Sequence, residues 1–92
     1  MSVKITFDPA KREATLQERG LDFADAELVF AGPTFSRVDD RFDYGEHRVV
    51  TAGPLGSRMV VIVWTPRGDA RHIISMRYCH ADEEKNWREQ MG

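Results

Sequence analysis

The chain has 92 residues, of which 41% are hydrophobic and 30% are charged, and its formal net charge is −2. These values predict one soluble globular domain over residues 1–92 and exclude disordered and fibrous classes. No apolar run approaches the length of a membrane span, and the N-terminal MSVKITF is too polar for a signal peptide, so a cytoplasmic protein is expected. A single cysteine, Cys79, excludes an internal disulfide, and the three histidines lack zinc-site spacing, so no metal or cofactor is expected.

The first half of the chain predicts a strand followed by two helices. SVKITF alternates apolar and polar residues, which is typical of a strand. Asp8 then provides an N-cap for the helix PAKREATLQER, and Gly20 ends that helix. Asp22 predicts a second N-cap, and the helix that follows it places Phe23 and Phe30 on one face.

The second half predicts four strands and a terminal helix. TFSRVD is a weak strand, a polar turn follows at residues 39–43, and EHRVVTA is the next strand, closed by GPLG. RMVVIVWT is apolar on both faces, as in a central strand, and the turn PRGD leads into ARHIISMRYC. DEEKNWREQM predicts a short helix within residues 81–92. The order β-α-α-β-β-β-β-α therefore predicts an α+β domain, with an antiparallel sheet and its helices on one face.

Positive charge is concentrated in residues 47–80, which hold five arginines and one aspartate. Arginine is suited to planar contacts with phosphate, so an anionic partner is a reasonable hypothesis, although any single arginine can also be a solvated residue at the rim of a sheet. Strict alternation in RHIISMR predicts that Arg71 and Arg77 share one face of their strand. By the same rule His47 and His72 point away from that face and are interpreted as structural.

Several motifs resemble those of one protein family. They comprise Asp8 and Lys11 before a turn glycine, F-x-x-A-x-x-V-F at residues 23–30, Glu46-x-Arg48 before a glycine, and I-I-S-x-R ending at Arg77. Over nearly the whole chain the pattern resembles the BrnT toxins of bacterial type II toxin–antitoxin systems. The resemblance implies a fold similar to RelE-type ribonuclease toxins and RNA cleavage that halts translation. It also implies neutralisation by a BrnA-like antitoxin in a two-plus-two complex, in which only the antitoxin contacts operator DNA.

One segment departs from the family pattern. Thr15, Glu18 and Arg19 occupy positions where relatives commonly have Asn, Lys and His. This departure leaves a second hypothesis open, namely a catalytically degenerate toxin that acts only as an antitoxin partner in operator regulation. An RNA cleavage assay with the antitoxin removed separates the two hypotheses.

Metal-free RNA cleavage needs a base for the 2′-hydroxyl, cations for the phosphorane and an acid for the leaving 5′-oxygen. Arg48 and Arg77 are the candidate cations, since each lies on a predicted strand and matches a family motif. Arg67, Arg71 and Lys11 are candidate contacts to the RNA backbone, which carry affinity rather than sequence choice.

The acid and base are less clearly marked in the sequence. Glu46 is a candidate base, or else simply the ion-pair partner of Arg48. His80 is a candidate for proton transfer, or else an exposed histidine without a role. The arginines themselves have a structural alternative, because Glu46, Asp69 or the acids at residues 82–84 are possible partners. Trp87 is either a partner contact or a residue that packs its helix on the sheet.

Overall fold

The computed structural model describes residues 3–40 and 45–91, so most of the predicted turn at residues 39–43 lies outside the described residues. The described chain is an α+β domain in the predicted order, with a one-turn 3₁₀ helix at Phe23–Asp25 directly before the second α-helix. The elements are β1 Lys4–Phe7, α1 Pro9–Arg19, α2 Ala26–Ala31, β2 Phe35–Val38, β3 Val49–Leu55, β4 Arg58–Arg67, β5 Ala70–Tyr78 and α3 Ala81–Met91. None of the helices in this described part combines enough length with enough apolar residues to cross a membrane.

Both ends of α1 are formed by the predicted capping residues. The Asp8 side chain accepts a hydrogen bond of 2.8 Å from the backbone N–H of Ala10. Gly20 has φ 69°, and its N–H donates to the carbonyl oxygen of Leu16. A side chain is strained in this left-handed conformation, so glycine suits the end of the helix.

A two-point ion pair ties α1 to the turn that follows it. Arg12 Nε and Nη2 donate to the two carboxylate oxygens of Asp22 at 2.7 and 2.8 Å. Asp22 also accepts from the N–H of Ala24, which is the predicted N-cap contact. The Arg12 hydrogen bond, followed by the Ala24 hydrogen bond, lowers the pKa of Asp22 to about 2. This pair gives α1 a fixed position although α1 has no buried residue of its own.

The sheet is mixed rather than wholly antiparallel. Its strand order is β1-β5-β4-β3-β2, and β1 runs parallel to β5 while the other neighbours are antiparallel. Sequence patterns did not indicate the parallel pair because β1 and β5 are far apart in the chain, and no hairpin turn marks their pairing.

The two faces of the sheet are covered by different helices. Val60 and Ile62 of β4 pack with Phe23 and Val29 on the α2 side. The alternate β4 residues, Met59 and Val61, pack with Trp87 of α3 on the opposite side. β4 is therefore buried on both faces, as predicted, but the prediction that all helices share one face is wrong. The alternation of apolar and polar residues in the strands does not indicate on which side of the sheet α3 packs.

Gly53 allows α2 to lie directly against β3. A Cβ atom at this position would lie 2.9 Å from Val29 Cγ1 and 2.9 Å from Thr34 Cγ2. Because such distances are closer than van der Waals contact, a side chain at position 53 would push α2 away from the sheet.

A β-bulge interrupts the alternation of β5. Val63 pairs with Ser75 and Trp64 with Ile73, so Ile74 has no partner in the β4 register. As a result Ile73 and Met76 both enter the core on the α2 side, although strict alternation would separate them. The two arginines of RHIISMR consequently lie on opposite faces of the sheet, and the prediction of a shared face is wrong. His72, before the bulge, lies on the same face as Ser75 and Arg77.

Candidate functional site

Arg71 lies on the α2 face, between two aromatic rings. Its guanidinium carbon is 4.5 Å from the ring centroid of Phe30 and 4.5 Å from that of Trp64. The two rings meet edge to face at 5.8 Å. This arrangement is a double cation–π contact that packs α2 against the sheet. The structure therefore separates Arg71 from Arg77, with which the sequence grouped it.

The opposite face carries a polar groove of about 610 Å³ beside α3. Val61 and Val63 of β4 contribute to its lining, together with Arg37 of β2 and Ser75 and Arg77 of β5. Continuing along β4 in steps of two residues, Thr65 and Arg67 follow Val63 on the same face. We call this face, opposite α2, the arginine face.

Within the groove Arg77 forms a two-point ion pair with Glu83 of α3. Arg77 Nη1 and Nη2 donate to Glu83 Oε1 and Oε2 at 2.7 and 2.8 Å. Glu83 also accepts a hydrogen bond of 3.2 Å from the backbone N–H of His80, as in a capping box at the start of α3. The Arg77 hydrogen bond is the main reason that the pKa of Glu83 is lowered. The structural alternative for Arg77, a tie to the terminal helix, is thus present.

The residues between Arg77 and Glu83 differ sharply in exposure. His80 is exposed, next to the Arg77–Glu83 pair, where its imidazole is accessible to a ligand. Cys79 is only 8% exposed, and burial raises the pKa of its thiol to about 11. The thiol is therefore protonated at neutral pH and is a poor nucleophile.

A second group of charges lies around Glu46. Arg48 Nε donates to Glu46 Oε1 at 3.3 Å, and Arg67 Nη2 lies 4.0 Å from Glu46 Oε2. Glu46 thus holds two arginines together, so the ion-pair alternative is the arrangement that the structure contains. The carboxylate of Asp69 lies 3.9 Å from Lys4 Nζ, and this is the ion pair of Asp69 within the described residues.

His72 is a neighbour of this second group. Its Nδ1 shares a hydrogen bond of 2.8 Å with Thr6 Oγ1 on the parallel strand β1. Burial, followed by the positive charge of Arg67, lowers the pKa of His72. The sequence interpretation placed His72 away from the arginines because it assumed unbroken alternation, and the bulge at Ile74 corrects that assignment.

Arg37 is a groove residue that the sequence analysis missed. Its guanidinium carbon lies 4.9 Å from the centroid of the Trp87 ring, which also contacts the ring of Phe35 at 5.3 Å. Trp87 is only 6% exposed, so it packs α3 on the sheet as one of the two alternatives predicted. Alternation in TFSRVD does place Phe35 and Arg37 on one side, and this was the available signal.

The departures from the family pattern near the end of α1 have different surroundings. Arg19 Nη1 donates to the backbone carbonyl oxygen of Met76 at 2.9 Å, so it supports β5 one residue before Arg77. Glu18 is exposed on α1, as is Lys11 in its first turn. Lys11 contributes positive charge to the surroundings of His72.

Among residues 3–40 and 45–91, no three His, Cys, Asp or Glu side chains are grouped so that they could hold a metal ion.

The fold and the arginine face together define a small α+β domain with a polar groove in which Arg37 and Arg77 lie beside the carboxylates of Asp39, Asp40 and Glu83. Residues 7–83 match the family described as ribonuclease toxin, BrnT, of type II toxin–antitoxin system. The chain therefore belongs to the BrnT family of ribonuclease toxins, and the resemblance found in its motifs is confirmed. A comparison with curated proteins finds no match to this chain.

Proposed function

We propose that this toxin cleaves RNA without a metal ion, that the cleavage blocks translation, and that the arginine face holds the substrate. The observation that carries the proposal is the position of Arg37, Arg67 and Arg77, which project from three strands onto one face. Arg48 joins them through Glu46. Guanidinium groups on strands are well placed to stabilise a phosphorane, because strands hold them in a fixed orientation.

Each candidate residue that the sequence analysis named, except Arg71, has a role in the proposed mechanism. Arg48 and Arg77 supply the charge that stabilises the transition state, while Arg67 and Lys11 bind the RNA backbone. Glu46 orients Arg48 and Arg67, in keeping with its contacts to both. His80, exposed beside the Arg77–Glu83 pair, is the proposed acid for the leaving 5′-oxygen. Arg71 is left out of the RNA-binding set because it stacks on the other face.

The position of Arg19 supports an active enzyme over a degenerate one. A departure from the family residue would weaken activity if it disturbed the strand that carries Arg77. Arg19 instead donates to the Met76 carbonyl and supports that strand. The alternative function, an inactive partner in operator regulation, has no comparable contact in its favour.

The proposed inhibitor is a BrnA-like antitoxin that forms a two-plus-two complex with the toxin and alone binds operator DNA. Acidic side chains of the partner are suited to bind the arginines of this face. Glu83 already occupies the Arg77 fork in this way, which shows the kind of group that fits there.

The decisive experiment is an RNA cleavage assay on toxin that has been separated from its antitoxin. Wild-type toxin is expected to cleave RNA and to arrest growth when it is expressed alone. The double variant Arg48→Ala, Arg77→Ala is expected to remain folded and to do neither. Folded wild-type toxin that leaves both RNA and growth unaffected would establish the degenerate alternative.

A further inference from the structure

His72 occupies a position on the arginine face that the proposed function does not yet use. It lies on β5 between β1, which carries Thr6, and β4, where Thr65 is its register partner. Four charged groups act on it: Arg67 at the end of β4, Glu46 before β3, and Asp8 and Lys11 at the start of α1. Two are positive and two negative, so the surroundings are charged but balanced.

The imidazole of His72 is fixed in orientation by a hydrogen bond to one of its two nitrogens. Nδ1 is held by Thr6 Oγ1 at 2.8 Å, and the β1–β5 register keeps the two residues side by side. Within residues 3–40 and 45–91, the ring of His72 makes one hydrogen bond, which is the contact with Thr6. No fully buried side-chain nitrogen in that part of the chain lacks a hydrogen-bond partner. Nε2 is therefore not fully buried, and His72 as a whole is half-buried on the arginine face.

We infer that His72 is the general base of RNA cleavage, with Thr6 as its positioning residue; this inference rests on the proposed ribonuclease function. Nδ1 carries a proton and donates it in the hydrogen bond to Thr6, while Nε2 takes the proton of the 2′-hydroxyl. The 2′-oxygen attacks the adjacent phosphorus, the bond from phosphorus to the 5′-oxygen breaks, and the 5′-oxygen takes a proton from the acid. The products are a 2′,3′-cyclic phosphate and a 5′-hydroxyl, and His72 returns its proton to water.

His72 is better suited to this part than Glu46. The Glu46 carboxylate already contacts Arg48 and Arg67, one through each of its oxygens. Within the described part of the chain, no arginine or lysine donates a hydrogen bond to Nε2 of the imidazole. Burial and Arg67 lower its pKa, so that it is unprotonated at neutral pH, as a base must be.

The first test compares His72→Gln with His47→Gln, in which the histidine replaced is exposed and lies before the start of β3. Wild-type toxin is expected to release a 2′,3′-cyclic phosphate, and its kcat is expected to rise with pH and level off near or below pH 6.5, the ordinary pKa of histidine. His72→Gln is expected to lower kcat by about 10²-fold or more and to abolish this acid limb. Thr6→Val is expected to lower kcat less and to shift the limb, and His47→Gln to change neither.

A second substrate separates base from acid. An RNA whose scissile 5′-oxygen is replaced by sulfur needs no acid, because a thiolate leaves readily. His72→Gln is expected to stay slow on this RNA, whereas a variant that lacks the acid recovers. Recovery of His72→Gln on the sulfur substrate, or an unchanged pH profile with the natural one, overturns the assignment of His72 while the ribonuclease function stands. Wild-type toxin that cleaves neither RNA overturns both.

Discussion

Arg77 and Glu83 are joined by two parallel hydrogen bonds, so that a carboxylate occupies the guanidinium fork in the way that a phosphate would. The pair is partly exposed, with 41% of the Arg77 side chain accessible, and such pairs contribute about 1 kcal/mol or less to stability. RNA bound at Arg77 must therefore either displace Glu83 or share the guanidinium with it. Substitutions on the two sides of this pair distinguish a structural from a catalytic arginine.

We predict that Arg77→Ala abolishes toxicity and leaves the fold intact. Loss of a fixed cationic donor typically lowers the rate by about 10²–10³, which corresponds to about 2.7–4 kcal/mol of transition-state stabilisation. This loss is larger than the contribution of about 1 kcal/mol or less that the ion pair makes to the free energy of unfolding. Cleavage rates and thermal melting curves are measured on the same preparations.

Glu83→Gln is the matched control, because it breaks the same ion pair and keeps the arginine. This variant is expected to remain toxic and to melt at about the same temperature as Arg77→Ala. If Arg77→Ala unfolds the protein or keeps full toxicity, the arginine is structural.

Arg71→Ala is predicted to lower stability and to weaken toxicity only slightly. The guanidinium lies against both Phe30 and Trp64, and a partly buried cation–π contact contributes about 1 kcal/mol. Chemical denaturation measures the loss in the free energy of unfolding. Arg71→Met, which fills the same space without charge, is expected to recover part of that loss. A folded Arg71→Ala variant that cannot cleave RNA would show that this arginine has a part in catalysis after all.

Acid is predicted to remove the stability that Asp22 contributes. Its pKa is about 2 in the folded protein against 3.8 ordinarily, so the contribution is complete above pH 4 and is lost as the pH falls towards 2. Asp22→Ala, which also removes an N-cap, is expected to cost about 1 kcal/mol at pH 7.

Melting temperatures of wild type and Asp22→Ala are compared between pH 7 and pH 2, and their difference is expected to narrow below pH 4. Asp25→Ala is the control, since Asp25 makes no side-chain capping bond. A difference that stays constant down to pH 2 contradicts the assigned pairing with Arg12.

RNA cleavage is predicted to survive chelation by EDTA. The charge on the phosphorane is compensated by guanidinium groups in the proposed mechanism, so divalent ions have no required part. Cleavage is measured with and without EDTA, and then after Mg²⁺ is added back. Activity that is lost with EDTA and restored by Mg²⁺ would contradict the metal-free mechanism.

Antitoxin binding is predicted to protect the arginine face. Hydrogen exchange is expected to slow at residues 67–80, and the association rate is expected to fall with rising salt concentration, because acidic groups on the partner meet arginines. Protection confined to α2 would indicate that the antitoxin inhibits from the other side of the sheet.

Local sequence signals predicted the parts of this fold that depend on neighbours in the chain. Asp8 and Gly20 bound α1 because capping is a matter of a few adjacent residues. The two-sided burial of β4 followed from its unbroken apolar run.

Sequence signals did not predict the features that depend on pairing between strands. The bulge at Ile74 arises from the register between β4 and β5, and no residue in RHIISMR indicates it. For that reason the sequence analysis grouped Arg71 with Arg77 and set His72 apart. The distribution of these residues between the two faces of the sheet required the structure.

The parallel pairing of β1 with β5 has a consequence for the timing of synthesis. Thr6 and His72 are 66 residues apart in the chain, so the first strand has no partner until the last strand has been made. Contacts of such long sequence separation form late in folding. A nascent toxin on the ribosome therefore carries an incomplete sheet, and its arginine face assembles only near the end of translation.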